Sequence, residues 1–149
     1  MIIIAHNIRS LHNVGAILRS ADAFDVEKVY LTGFTGQPPR KEIAKVALGS
    51  DRRVSWQGRE DILTLIEELK QTGYQVLALD NIDRSISLEA VVFEKPIALI
   101  LGNEVEGLES AVLDACDQIV MITMPGAKQS LNVSVAAGIA MFALSTKNR

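Results

Sequence analysis

Residues 119–144 read IVMITMPGAKQSLNVSVAAGIAMFAL, an apolar run followed by a polar loop and a second apolar run. The first run is rich in β-branched residues and predicts a strand, whereas the second is long enough for a helix. Ser130 and Asn132 stand just before that helix, where a short oxygen-bearing side chain can accept a hydrogen bond from a free backbone N–H. Helix capping explains both residues at least as well as a functional role does, so both interpretations stay open at this point.

Composition predicts one soluble domain. The chain has 149 residues and 48% hydrophobic content, which is enough to bury a sizeable core. Cys116 is the single cysteine, so an internal disulfide and a CxxC site are excluded, and we expect a buried, inert thiol in a reducing cytoplasm. The apolar run Ile2–Ala5 is too short for a signal peptide, and no apolar stretch reaches the ~18 residues of a membrane span. We therefore expect a cytoplasmic protein.

The distribution of charge is uneven. The net charge is -3, which by itself argues against a nucleic-acid partner. Residues 40–59, however, hold six bases against two acids, whereas residues 60–117 hold thirteen acids against three bases. A polyanion-binding face and an ordinary solvated surface are both compatible with this pattern.

The order of predicted elements indicates an α/β domain. Strands are predicted at Ile2–Ala5, Lys28–Thr32, Arg52–Trp56, Tyr74–Leu79, Ile97–Leu101 and from Ile119, and helices are predicted from Val14 with Asn13 as its cap, at Lys41–Leu48, at Glu60–Gln71 and up to Ala115. Alternation of strands and helices at this length is typical of a largely parallel sheet with helices on both faces.

Three polar loops are candidates for the functional site. They cover residues 6–13, 102–107 and 123–132, and in such a sheet ligands bind beyond the carboxyl ends of the strands. Their glycines allow the backbone to approach a ligand closely. The sequence has no GxGxxG motif and no GxSxG motif, which disfavours a Rossmann dinucleotide site and a serine hydrolase. It also has no HxxxH motif and no Cys/His cluster, which disfavours a metal site. Arg19 alone suggests an ordinary surface pair with Asp22, three residues further along the helix.

The loops carry three motifs that resemble those of the SpoU/TrmH branch of the SPOUT RNA methyltransferases. The motifs occur in family order and spacing and are NIRS at residues 7–10 with NVGAILRSADAF at 13–24, LGNEVEGL at 101–108, and MPG at 124–126 with SLNVSVAA at 130–137. The segment KVALGS at residues 45–50 also resembles the family's KxALG stretch. The resemblance extends over nearly the whole chain.

This resemblance implies a fold, a cofactor and an assembly. The fold is an α/β knot, in which the C-terminal segment threads through a loop as a deep trefoil. S-adenosylmethionine binds in the knot largely through main chain, and by matching positions its contacts are Leu79, Gly102, Ile122 and Leu131. The family forms homodimers, which suits the terminal helix here because that helix is apolar on nearly all sides.

The resemblance also implies methyl transfer to a ribose 2'-OH of tRNA or rRNA. Arg19 takes the catalytic position, and the rest of the set is Asn13, Glu104, Ser130 and Asn132. Because an arginine side chain stays protonated at neutral pH and is therefore a poor base, we expect Arg19 to act as an electrostatic clamp on the hydroxyl oxygen and a neighbouring phosphate, unless that phosphate relays the proton. Asn13 and Glu104 are then expected to orient Arg19, and Ser130 and Asn132 to position backbone and substrate.

RNA contacts are expected from Arg9, Arg52 and Arg53. The chain is expected to be a single methyltransferase domain over residues 1–149 without an N-terminal RNA-binding extension, so target recognition would come from its own surface, a second copy or another protein. Two alternatives remain. One is a non-catalytic knotted RNA-binding or assembly module, and the other is a small, metal-dependent nucleotide hydrolase that uses Glu104 and Glu106.

Overall fold

The computed structural model describes residues 1–147, in which seven strands and six helices are found. In chain order they are β1 Ile2–His6, α1 Leu11–Ala23, β2 Lys28–Thr32, α2 Lys41–Ala47, α3 Ser50–Arg53, β3 Trp56–Arg59, α4 Ile62–Gln71, β4 Gln75–Leu79, β5 Ile86–Ser87, β6 Ile97–Leu101, α5 Ser110–Ala115, β7 Gln118–Met121 and α6 Val133–Lys147. Among these residues, no helix combines the length and apolar character needed to cross a membrane.

The strands of the described chain form one sheet in the order β3-β2-β1-β6-β4-β7-β5, and every neighbouring pair is parallel. The central strands β1 and β6 are buried along their whole length because helices cover both faces of the sheet. Side chains alternate between the faces, so Ile3 packs with α1, α2 and α6, whereas Ile4 packs with α4 and α5. The predicted parallel α/β architecture is confirmed.

The edge of the sheet contains an unusual crossing. Strand β7 lies between β4 and β5, and it pairs with Leu79 of β4 and Ile86 of β5 through the same residue, Val120. Residues 80–85 connect β4 to β5 directly in sequence, so this short segment has to pass from one side of β7 to the other. The chain that follows β7 leads from this crossing into α6.

Most predicted boundaries agree with the structure to within two residues, but those of α1 and β3 are wrong. Helix α1 begins at Leu11 because the Ser10 side chain, not that of Asn13, is its N-cap and accepts a hydrogen bond from the Asn13 N–H at 3.2 Å. Asn13 therefore lies in the first turn of the helix. Residues 52–56 were expected to be extended, but Arg52 and Arg53 belong to the short helix α3, and the strand begins only at Trp56.

Candidate active site

A pocket of about 260 Å³ lies at the carboxyl edge of the sheet, beyond the ends of β4, β6 and β7. All four predicted cofactor-binding residues line it: Leu79, Gly102, Ile122 and Leu131. The loops after β6 and β7 form its walls, so two of the three polar loops meet around one cavity, as ligand sites in parallel sheets usually do. Glu104 and Ser130 also line this pocket.

The main chain of this pocket has free hydrogen-bonding capacity. Outside the strand ladders, and within residues 1–147, the backbone N–H and C=O groups of Gly102, Ile122 and Leu131 form no hydrogen bond. Backbone groups normally find partners, and groups that lack one inside the protein are available to a ligand. Such a cavity suits a nucleoside that is read by main chain, with apolar side chains such as Leu79 and Ile122 against its rings.

Glu104 joins the loop after β6 to the start of helix α1. Its carboxylate accepts hydrogen bonds from the Arg9 N–H at 3.0 Å, the Ser10 N–H at 3.2 Å and the Asn13 side-chain amide at 3.1 Å. Partial burial opposes ionisation of Glu104, but these hydrogen bonds outweigh it and hold the pKa of the carboxyl below its usual value. The carboxylate also lies at the N-terminus of α1, where negative charge is favourable.

Asn103 is a site residue that the sequence interpretation missed. Its side-chain amide donates to the Asn7 carbonyl at 2.9 Å, and its side-chain oxygen accepts from the Val105 and Glu106 N–H groups at 2.9 and 3.0 Å. Asn103 therefore shapes the turn that carries Glu104 and fixes it to the loop after β1. An Asn directly before a tight turn closed by glycine is the signal that could have identified it.

Asp80 and Asn81 were missed as well. Asp80 accepts a hydrogen bond from the Leu108 N–H at 3.2 Å, and Asn81 donates to the Gln129 carbonyl at 3.2 Å. The turn after β4 thus contacts the loop after β6 on one side and the loop after β7 on the other. These two polar residues hold both walls of the pocket, and only the fold brings them there.

Ser130 and Asn132 have separate roles in the structure. The Asn132 side chain accepts hydrogen bonds from the backbone N–H of Ser134 at 2.8 Å and from its hydroxyl at 2.6 Å, so Asn132 caps α6. Ser130 is exposed, lines the pocket and forms no hydrogen bond within the described residues. The capping interpretation is therefore confirmed for Asn132 and is wrong for Ser130.

Arg19 is exposed on α1, and within residues 1–147 it has no hydrogen bond or ion pair. The pair with Asp22 is not formed, since the Asp22 carboxylate instead accepts hydrogen bonds from Arg53 at 2.6 and 2.8 Å and from the Ser50 hydroxyl at 2.8 Å. These bonds, chiefly that from Arg53, lower the pKa of Asp22. Asn13 bonds to Glu104 rather than to Arg19, which stands about 9 Å further along the helix axis.

The remaining predicted residues are distributed over the surface. Arg9 and Arg52 are exposed, whereas Arg53, although also exposed, is engaged with Asp22. Cys116 is only partly buried, not fully buried as expected; it donates to the Val112 carbonyl, and desolvation raises the pKa of its thiol to about 12, so the thiol is un-ionised at neutral pH. Among the described residues, no group of His, Cys, Asp and Glu side chains is arranged to hold a metal ion.

The fold and the pocket define a small α/β domain with a ligand-sized cavity at the carboxyl edge of a parallel sheet. The particular family follows from comparison with known proteins. The chain belongs to the SpoU rRNA Methylase family, whose sequence model matches residues 1–142. The family resemblance predicted from the three motifs is thereby confirmed.

Individual relatives and solved structures agree with this assignment. The chain is 32% identical to the tRNA (guanosine(18)-2'-O)-methyltransferase of Aquifex aeolicus, with 95% of this chain and 67% of that protein covered. It is 33% identical to the 23S rRNA (guanosine-2'-O-)-methyltransferase RlmB of Nitrosomonas europaea, with 95% and 54% covered. The AdoMet-bound rRNA methyltransferase of Sinorhizobium meliloti superposes with a TM-score of 0.90 at 26% identity, with 99% and 56% covered. The chain thus spans about half to two thirds of the length of these proteins.

Family membership also bears on the fold. The fold of this family is a knotted α/β domain, so the trefoil knot predicted from the resemblance is implied by family membership.

Proposed function

We propose that this chain is an S-adenosylmethionine-dependent methyltransferase that modifies a ribose 2'-OH of tRNA or rRNA. The observation that carries the proposal is the pocket with free main-chain groups, bordered by Glu104 and Ser130 from two separate motifs. The Aquifex and Nitrosomonas relatives are named as 2'-O-methyltransferases of tRNA and rRNA, and the Sinorhizobium structure is described as AdoMet-bound. These names support the reaction and the cofactor.

S-adenosylmethionine fits the residues present. The backbone of Gly102, Ile122 and Leu131 would read the adenine edge, and the side chain of Leu79 would contact the ring. When bound, the cofactor supplies a methyl group on a positively charged sulfur.

Arg19 is proposed to stabilise negative charge on the attacking ribose oxygen and to hold a neighbouring phosphate. An arginine without a carboxylate partner is available for such a contact, and Asp22, its nearest candidate on α1, is occupied by Arg53. Asn13 and Glu104 would fix the start of α1 relative to the pocket. Ser130 would position the substrate at the pocket wall, and Asn132 would hold the start of α6. Together these residues would align the ribose 2'-OH of the RNA with the methyl group of the cofactor.

RNA is proposed to approach over the basic side of the domain. Arg9 is exposed next to the backbone contact with Glu104, and Arg52 is exposed on α3. Arg53 is a weaker candidate, because its guanidinium is already held by Asp22. Cations at these positions would bind phosphates without reading the base sequence.

A homodimer through α6 is the proposed assembly. One side of this helix is buried against the domain by Ala137, Ala140, Met141 and Leu144, whereas the opposite side exposes Val135, Ile139 and Phe142. An exposed apolar stripe at helical spacing marks a protein contact surface. The stripe lies next to the end of α1, since Phe24 and Phe142 have ring centroids 6.2 Å apart.

The proposal is tested by incubating the chain with methyl-labelled S-adenosylmethionine and separated tRNA and rRNA, followed by alkaline hydrolysis. Transfer to a ribose 2'-OH leaves one alkali-resistant dinucleotide, which maps the modified site. Cofactor and RNA binding without transfer would favour the non-catalytic module instead. Metal-dependent nucleotide hydrolysis without affinity for S-adenosylmethionine would favour the hydrolase that uses Glu104 and Glu106.

A further inference from the structure

We propose that Phe34 is a stacking platform for an unpaired base of the RNA strand that enters the site. This inference rests on the proposed function, because it identifies a further contact of the same substrate. Phe34 is 60% exposed in the loop after β2, so the face of its ring is open to a ligand. Within single-stranded nucleic acids, bases stack on such exposed aromatic rings irrespective of sequence.

Phe34 lies on the same edge of the sheet as the pocket. It follows β2 directly, after Thr32 and Gly33, and β2 is separated from β6 by β1 alone. Two strand spacings amount to about 10 Å. The carboxyl ends of β2 and β6 are therefore close enough for one RNA strand to span both.

The backbone of Phe34 is held in place by Asn7. The Asn7 side-chain oxygen accepts a hydrogen bond from the Phe34 N–H at 3.1 Å, and the Asn7 side-chain amide donates to Glu109 at 3.2 Å. Asn7 has φ +53° and Gly33 has φ +59°, in the left-handed region that favours glycine. A Cβ at Gly33 would collide with the Asn7 side-chain oxygen, so this close approach depends on glycine. These contacts fix the position of the Phe34 backbone.

The same Asn7 connects Phe34 to the candidate catalytic loop. Its carbonyl accepts the hydrogen bond from Asn103, and Asn103 precedes Glu104 in the turn after β6. Phe34, Asn7 and Asn103 thus form a continuous series of contacts from the surface to the pocket wall. A base stacked on Phe34 would be placed at a defined distance from the pocket.

The surrounding charges favour RNA over a protein partner. Arg9 is exposed two residues after Asn7, and Arg40 and Lys41 are exposed where the loop after Phe34 enters α2. Arg40 and Lys41 begin the segment with six bases against two acids. An exposed aromatic ring on a loop that leads to exposed cations is the combination that binds the base and the phosphates of a single strand together.

The test is equilibrium filter binding of bulk tRNA to the full chain at several salt concentrations. Phe34→Ala should weaken binding by about 5- to 150-fold, the range expected for one stacked base. The slope of affinity against salt should stay unchanged, because no phosphate contact is removed. Phe34→Tyr, which keeps the ring, should bind like the wild type. Val92→Ala is the matched control, since Val92 is 78% exposed in the connection between β5 and β6.

Three outcomes would overturn the inference in different ways. Wild-type affinity in Phe34→Ala would exclude the stacking role while leaving the proposed function intact. A shift in the monomer–dimer equilibrium of Phe34→Ala, seen by sedimentation, would place Phe34 between two copies of the chain instead. A wild-type chain that binds S-adenosylmethionine but no RNA at low salt would refute the proposed function itself.

Discussion

Replacing Glu104 with glutamine tests whether this carboxylate anchors the site to helix α1. The Glu104→Gln variant is expected to lose the charge and to turn one side-chain acceptor into a donor. Since Glu104 accepts from the N–H groups of Arg9 and Ser10 and from the Asn13 amide, at least one of these donors would then face another donor. Loss of a helix-capping carboxylate typically costs about 0.5–2 kcal/mol. Because Glu104 is exposed, solvent screening limits the expected loss here to about 1 kcal/mol.

The measurement is urea unfolding followed by circular dichroism at a series of pH values, with Glu106→Gln as the matched control. Within the described residues the Glu106 side chain forms no hydrogen bond, so its replacement should change stability little. The pKa of Glu104 is lowered by folding, so its contribution is present above the ordinary carboxyl value of 4.5 and is lost as the pH falls through the folded-state pKa. The difference between wild type and Glu104→Gln should therefore stay constant from pH 7 down to about 4.5 and shrink as the pH is lowered further. The anchoring role would be refuted if Glu104→Gln were as stable as Glu106→Gln. It would also be refuted if the stability difference between wild type and Glu104→Gln did not change with pH.

Three further predictions concern the reaction and its ligands. Arg19→Ala should keep cofactor affinity, measured by calorimetry, and reduce methyl transfer by at least ~100-fold; near wild-type turnover would exclude the clamp. Arg52→Glu should weaken tRNA binding and reduce the slope of log affinity against log salt concentration by about one or more. Arg53→Glu should have the same effects and should also lower the thermal midpoint of unfolding, because its ion pair with Asp22 of α1 is lost. Unchanged RNA affinity at low salt would remove this segment from the interface. Asn81→Ala should weaken S-adenosylmethionine binding by roughly 2- to 12-fold, the value of one hydrogen bond, whereas Asp83→Ala in the same loop should not; equal affinities would show that the bond to Gln129 does not shape the pocket.

The central strands and the amphipathic helices could be predicted from sequence because each is decided by local pattern. The strand Lys28–Thr32 and the strand Ile97–Leu101 agree with the structure residue for residue, since the first has Val, Tyr and Leu at its centre, the second is apolar throughout, and turn signals follow both. The start of α1 could not be predicted, because Ser10 and Asn13 are both good caps and the hydrogen bond to Glu104 draws Asn13 into the helix.

The candidate site was predictable only where a motif existed. The four predicted cofactor contacts do line one pocket, although nothing in their local sequence brings them together. Asn103 and Asp80 act through bonds to residues that are distant in sequence, and such pairings are set by the order of strands. The two-residue strand β5 was missed for a similar reason, since it is too short to show a pattern and exists because β7 lies beside it.

The position of β7 also determines the order in which the molecule can be completed. Strands β3, β2, β1, β6 and β4 all lie within residues 2–101 and can pair before residues 118–147 leave the ribosome. Strand β5 has no neighbour until β7 is inserted, and the loop that carries Leu131 follows β7. The pocket is therefore closed by residues that are synthesised after the other strands of the sheet, through contacts that are distant in sequence and hence slow to form. Binding of S-adenosylmethionine would then report that folding is complete and would stabilise this final step by mass action.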